Sequence, residues 1–149
     1  MYTMLLISHR GNISGVNSLR ENSQDYIDEA ISKGFDVEID IWNVGGHLYL
    51  GHDVGQYEVN LDWLTARKDR LWVHTKNILA VQFIMNSNLR FFFHEKERHT
   101  IIYNANLIWS HDTSEACTLS IIPLLDNQSF LRRREFDTVY GICSDFVGI

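Results

Sequence analysis

The chain has 149 residues, 13 Lys plus Arg against 19 Asp plus Glu, and a formal net charge of −6. That length suits one domain over residues 1–149, able to bury about 70% of the surface its unfolded chain exposes. Hydrophobic residues make up 45% and charged residues 21%, which excludes a disordered or low-complexity chain. The acidic balance argues against a nucleic-acid partner, since such proteins present a basic face. No apolar run approaches the ~20 residues of a membrane span, and the opening Met1–His9 stretch has neither a basic leader nor a long apolar centre. The expectation is a cytoplasmic protein in which Cys117 and Cys143 are reduced thiols.

Met4–Ser8 reads as a short buried strand running into a His9-Arg10-Gly11 turn. A helical pattern follows over Asn22–Lys33, with Tyr26, Ile27, Ala30 and Ile31 on one stripe. Asn22 or Ser23 can cap its start and Gly34 can end it. Phe35–Asn43 alternates with period two, Phe35, Val37, Ile39 and Ile41 against Asp36, Glu38 and Asp40. The Gly45-Gly46 turn leads into a second strand over His47–Gly51, paired with the first. Further strands are expected at Leu71–His74, Leu89–His94, Leu119–Leu125 and Thr138–Cys143, with a helix at Ile78–Met85. A hairpin is expected from Thr100–Tyr103 and Leu107–Ser110 around Asn104-Ala105-Asn106. Strands separated by helices near the start imply right-handed βαβ units and a parallel sheet.

Glu38 and Asp40, at i and i+2 of one strand, point to the same side. An isolated Glu-x-Asp is most simply a solvated strand face. On an inward face the two carboxylates repel and lose hydration, and then they need a cation or hydrogen-bond donors. A hard divalent metal meets that need. Five of the seven histidines, His9, His52, His74, His94 and His111, end apolar or β-like runs, where parallel-sheet proteins place their chemistry.

Read together, His9-Arg10-Gly11, Glu21-Asn22-Ser23, Ala30-Ile31-Ser32-Lys33-Gly34, Glu38-Ile39-Asp40 and Gly51-His52-Asp53 make the first third of the chain resemble the glycerophosphodiester phosphodiesterase family, of the phospholipase-C-like phosphodiesterase superfamily. The resemblance implies an α/β TIM-type barrel whose site lies at the C-terminal ends of its strands. It further implies metal-dependent hydrolysis of the P–O bond of a small phosphodiester, with His9 and His52 as acid and base, Glu38 and Asp40 as metal ligands, and Arg10 on the phosphate. Beyond residue 60 the likeness thins. His74 stands where the family has the Glu of a Glu-x-Lys pair, with Lys76 keeping the Lys position toward the phosphate. One divalent metal (Mg, Mn or Ca) is implied, and His74 as third ligand favours a transition metal. Gly141-Ile142-Cys143-Ser144-Asp145 resembles the family's last-strand Gly-x-x-Thr-Asp. Asp145, His94 and Trp109, with His111 beside Trp109, are candidate pocket residues.

A full (β/α)₈ barrel usually takes about 250 residues. A trimmed, irregular barrel is therefore expected, with about seven strands and few helices in its second half. Its bared apolar surface implies a homo-oligomer. The shortened chain and His74 leave one rival, a non-catalytic phosphate- or sugar-phosphate-binding domain derived from such an enzyme.

Overall fold

The apolar run at the start forms β1 (Leu5–His9), and the alternating run after Gly34 forms β2 (Asp36–Val44), in a computed structural model that describes residues 3–149. Between them, α1 (Gln24–Ser32) buries Tyr26, Ile27 and Ala30. Of the two capping candidates Ser23 does the work, accepting from the Tyr26 N–H. Next come β3 (His47–Leu50), β4 (Tyr57–Val59), α2 (Leu61–Ala66), β5 (Leu71–Thr75) and α3 (Ile78–Ile84). The second half holds β6 (Phe91–Phe93), β7 (His99–Ile102), β8 (Leu107–Ser110), β9 (Ser120–Pro123), the short α4 (Asn127–Leu131) and β10 (Gly141–Ser144).

β1 pairs in parallel with β2 on one side and β10 on the other. From β2 the sheet continues in parallel through β5 to β6, and from β10 through β9 to β8. β7 pairs antiparallel with β8, as the hairpin pattern predicts, with Asn104 and Asn106 taking the positive φ values of the turn. An antiparallel Phe91–Tyr103 bridge then ties β6 to the end of β7. Eight strands thus follow a curl, one more than expected, consistent with a trimmed TIM-type fold. β3 and β4 extend the edge of β2 as an antiparallel meander outside the curl.

The two faces of the curl have different fillings. Inside, Ile7, Trp72, Phe92, Leu107, Trp109, Ile121 and Cys143 pack into one apolar layer. Outside the first half, Val37, Ile39, Ile41, Leu71 and Val73 meet α1, α2 and α3 through Ile27, Ala30, Leu64, Ala80 and Ile84. Outside the last strands, Ile122 and Ile142 pack on Phe130 of α4, Val139 and Val147. Among the described residues no helix is long and apolar enough to cross a membrane.

Candidate active site

Side chains two apart on a strand share a face, so the residue above each interior apolar side chain points into the same mouth of the curl. Above Ile7 stands His9; above Trp72, His74; above Phe92, His94; above Trp109, His111; above Cys143, Asp145. On β2 the same face carries Asp36, Glu38 and Asp40 in succession. Register puts His9 beside Glu38 and Asp40 beside His74. A cavity of about 250 Å³ opens at this level, at the C-terminal ends of the parallel strands. Its wall includes His9, Arg10, Glu38, His52, His74, Lys76, His94 and Trp109. Of the sequence candidates, only Asp40 and Asp145 do not reach that wall. They lie behind it.

Asp145 sits behind His9 rather than on the pocket rim. His9 Nδ1 is 2.8 Å from Asp145 Oδ1, and the same oxygen accepts from Asn12 Nδ2 at 2.9 Å. Asn12 Oδ1 in turn accepts from the Tyr26 hydroxyl and the Asn17 N–H, which leaves its amide nitrogen as the donor to Asp145. Asp145 Oδ1 thus accepts Nδ1–H of His9 and leaves Nε2 for another partner. Burial opposes protonation of His9, but the Asp145 hydrogen bond and the negative charge of Glu38 outweigh it and raise its pKa.

Arg10 takes a left-handed backbone conformation (φ +60°), costly for a side chain of this kind. Two hydrogen bonds hold it there: its N–H donates to the Glu38 carbonyl and its carbonyl accepts from the Asn22 N–H. The next turn demands glycine. Gly11 has φ +97°, and a Cβ there would collide with the Tyr26 ring. The Arg10 guanidinium is brought within 3.2 Å of both Glu21 Oε2 and Asp40 Oδ2. Asn22, rather than capping α1, donates to Asp40 Oδ2 and accepts from the Asp40 N–H. The loop carrying His52 is tied to β2 by Gly51 N–H to the Asp40 carbonyl and by Trp42 Nε1–H to the Gly51 carbonyl. His52 is more exposed than His9, with Nδ1 2.7 Å from Asp53 Oδ1. Lys76 is fixed by its own N–H to the Ile41 carbonyl.

Glu38 and Asp40 are both buried. Burial and then the charge of Asp40 push the Glu38 carboxyl well above the usual range, despite His9, His74 and Arg10. Burial acts the same way on Asp40, but His74, Arg10 and Asn22 outweigh it and hold that carboxyl low. Glu38 Oε1 and Asp40 Oδ1 make no hydrogen bond among the described residues. His74 Nδ1 lies 3.1 Å from Asp40 Oδ1 without hydrogen-bond alignment. His74 Nε2 lies 3.2 Å from the His94 carbonyl, which can only accept, so Nε2 carries the proton and Nδ1 presents a lone pair when neutral. Ligand atoms of Glu38, Asp40 and His74 fall within 4.8 Å of one another. Two buried carboxylate oxygens that make no hydrogen bond among the described residues, with an imidazole lone pair beside them, fit a divalent cation. In a second such grouping, His99, Asp112 and Glu115, the Arg98 guanidinium already bridges the two carboxylates.

The far wall is aromatic. His74 stacks on Phe92 at 4.9 Å, Phe92 on Trp109 at 4.4 Å, and His94 on His111 at 3.8 Å. His111 is exposed as a residue, yet packing around its ring and the nearby His94 and His74 push its pKa down to about 4. Sequence reasoning missed Asn12 and Tyr26, because nothing local marks a side chain whose partner is another side chain across the fold, and it missed the lining residues Phe92, Pro123 and Leu125.

No protein-family model and no curated protein matches the sequence. Among solved structures, the chain is similar in fold to a glycerophosphodiester phosphodiesterase from Agrobacterium tumefaciens, with a TM-score of 0.60 and 14% identity across 98% of each chain.

Proposed function

We propose that the chain is a metal-dependent phosphodiesterase that hydrolyses the P–O bond of a small (glycero)phosphodiester. The observation that carries this reading is the convergence, on one cavity at the strand ends, of two histidines, two cationic side chains, Glu38 and His74, with Asp40 buried behind them in the same ligand group. The fold likeness supports the same reaction class.

In this reading Glu38, Asp40 and His74 hold one divalent cation. A cation held there would supply charge neutralisation to the phosphate. Arg10 offers a planar fork to the phosphate and Lys76 a point charge. Asp145 orients His9 so that Nε2 exchanges the proton, while His52 serves the opposite side of the phosphate. One histidine accepts a proton from the attacking water or a neighbouring substrate hydroxyl, and the other protonates the departing alkoxide. The nitrogen of His74 shifts the expected metal from Ca²⁺ toward Mn²⁺ or another transition metal.

A panel of glycerophosphocholine, glycerophosphoethanolamine and a chromogenic bis-ester, each with Mg²⁺, Ca²⁺ or Mn²⁺, tests the reading. Turnover of one diester that depends on added metal is the expected outcome. Phosphate binding without turnover under any metal would instead identify a binding domain.

A further inference from the structure

His111 lies just beyond β8 and lines the cavity together with His9, Arg10 and Lys76. Trp109 Nε1–H points at His111 Nε2 at 3.1 Å. An indole nitrogen can only donate, so His111 Nε2 bears no proton and the neutral ring carries it on Nδ1. The ring is fixed on one face by its stack on His94, with an interplanar angle of 17°. Its donor is fixed as well, because Trp109 is buried and stacked on Phe92. His111 Nδ1–H is therefore a preorganised donor with no partner among the described residues. A cavity of about 250 Å³ lies below the usual range for drug-sized ligands, about 300–1,000 Å³. With the phosphate on Arg10 and Lys76, what is left on the His94–His111 side fits a short arm.

We propose that His111 is a specificity-determining residue whose Nδ1–H donates to a hydroxyl oxygen on the substrate's alcohol arm, with Trp109 as the positioning residue that sets the tautomer. The inference rests on the phosphodiesterase reading for the place of the phosphate. A donor locked in this way discriminates against an arm that lacks the oxygen, because pairing with the hydroxyl replaces the water that the donor loses.

Two measurements on the full chain with Mn²⁺ test it. Nitrogen-15 NMR of the histidine rings should show His111 as the Nδ1–H tautomer, and Trp109→Phe should mix the tautomers. Calorimetry should show glycerol phosphate binding about 3- to 10-fold more tightly than propyl phosphate, a preference that His111→Phe, which keeps a stacking ring, abolishes. An Nε2–H tautomer in the parent, or an equal glycerol-to-propyl ratio in parent and His111→Phe, would overturn the proposal, as would failure of both phosphates to bind. The expected ratio without diester turnover under any metal would remove the phosphodiesterase reading and leave the donor assignment in place. Turnover with an unchanged ratio would do the reverse.

Discussion

The two halves of the curl use the same device, a polar residue above an apolar one, for different ends. Strands β1, β2 and β5 and their ends carry charge into the cavity through His9, Arg10, Glu38 and Lys76, with Asp40 buried behind the wall. Strands β6, β8 and β9 bring the stacked rings of His94, Trp109 and His111 and the apolar Pro123 and Leu125. The outer faces differ too. Three helices pack on the first half, whereas the β6–β7 connection has none, and Ile101 and Tyr103 remain more than half exposed. Buried like charges cost free energy that rigid packing on both faces of the strand can offset; β2 has that packing, whereas the outer side of β7 does not. The second half, built on shorter strands and a reversed β7, shapes the cavity instead of charging it.

The largest expected effect breaks the charged half. His9→Ala and His52→Ala should each lower diester turnover by about 10²–10⁴-fold with an unchanged circular-dichroism spectrum. Retention of activity within a few-fold by both would show that acid–base work lies elsewhere.

A smaller effect exchanges one donor between the halves' styles. His74→Glu should move the metal preference from Mn²⁺ toward Mg²⁺ or Ca²⁺, by about tenfold or more in relative affinity. In the parent, metal binding should weaken at pH 5 relative to pH 8, because a ligating imidazole must be deprotonated. Identical preferences by calorimetry in parent and variant would mean that His74 is not a ligand.

The cost of the buried carboxylates should appear in the metal-free protein. The Glu38 pKa is raised in the folded chain, from 4.5 to about 7, by burial and Asp40. The folded state therefore binds that proton more tightly than the unfolded chain, and stability falls as pH rises through this window. Glu38→Gln should raise the melting temperature more at pH 8 than at pH 5, with saturating metal reversing the order at pH 8. A pH-independent difference would show that Glu38 is not under strain.

The smallest change tests the bare outer face. Ile78, Leu79, Phe83 and Met85 of α3 and its end, with Ile101 and Tyr103 nearby, are exposed apolar side chains that suit contact between copies. Light scattering should give at least twice 17.4 kDa, and Ile101→Lys should return the monomer. A parent mass of 17.4 kDa at micromolar concentration would exclude the oligomer.

Much of the frame can be read locally. The strict alternation of Val37–Ile41 specifies a strand with both carboxylates on one face, and the Asn104-Ala105-Asn106 turn specifies the β7–β8 hairpin. The three-residue β4 and six-residue α2 could not be read so, because neither is long enough to display a period. Glu21 pairs with Arg10 and Asn22 with Asp40, contacts that could not be read so, since a side chain's partner across the fold leaves no mark beside it in sequence.

The sequence by itself determined which residues carry charge at which strand ends, because side-chain direction on a strand follows from a period of two. The tertiary structure alone decided what those charges meet. Curling brings β10 beside β1, and with it Asp145 to His9; it stacks His94 on His111; and it encloses Glu38 with Asp40, so that desolvation separates their pKa values. Contacts of that kind depend on which strands become neighbours, and neighbour choice is a property of the closed packing of the whole chain rather than of any segment.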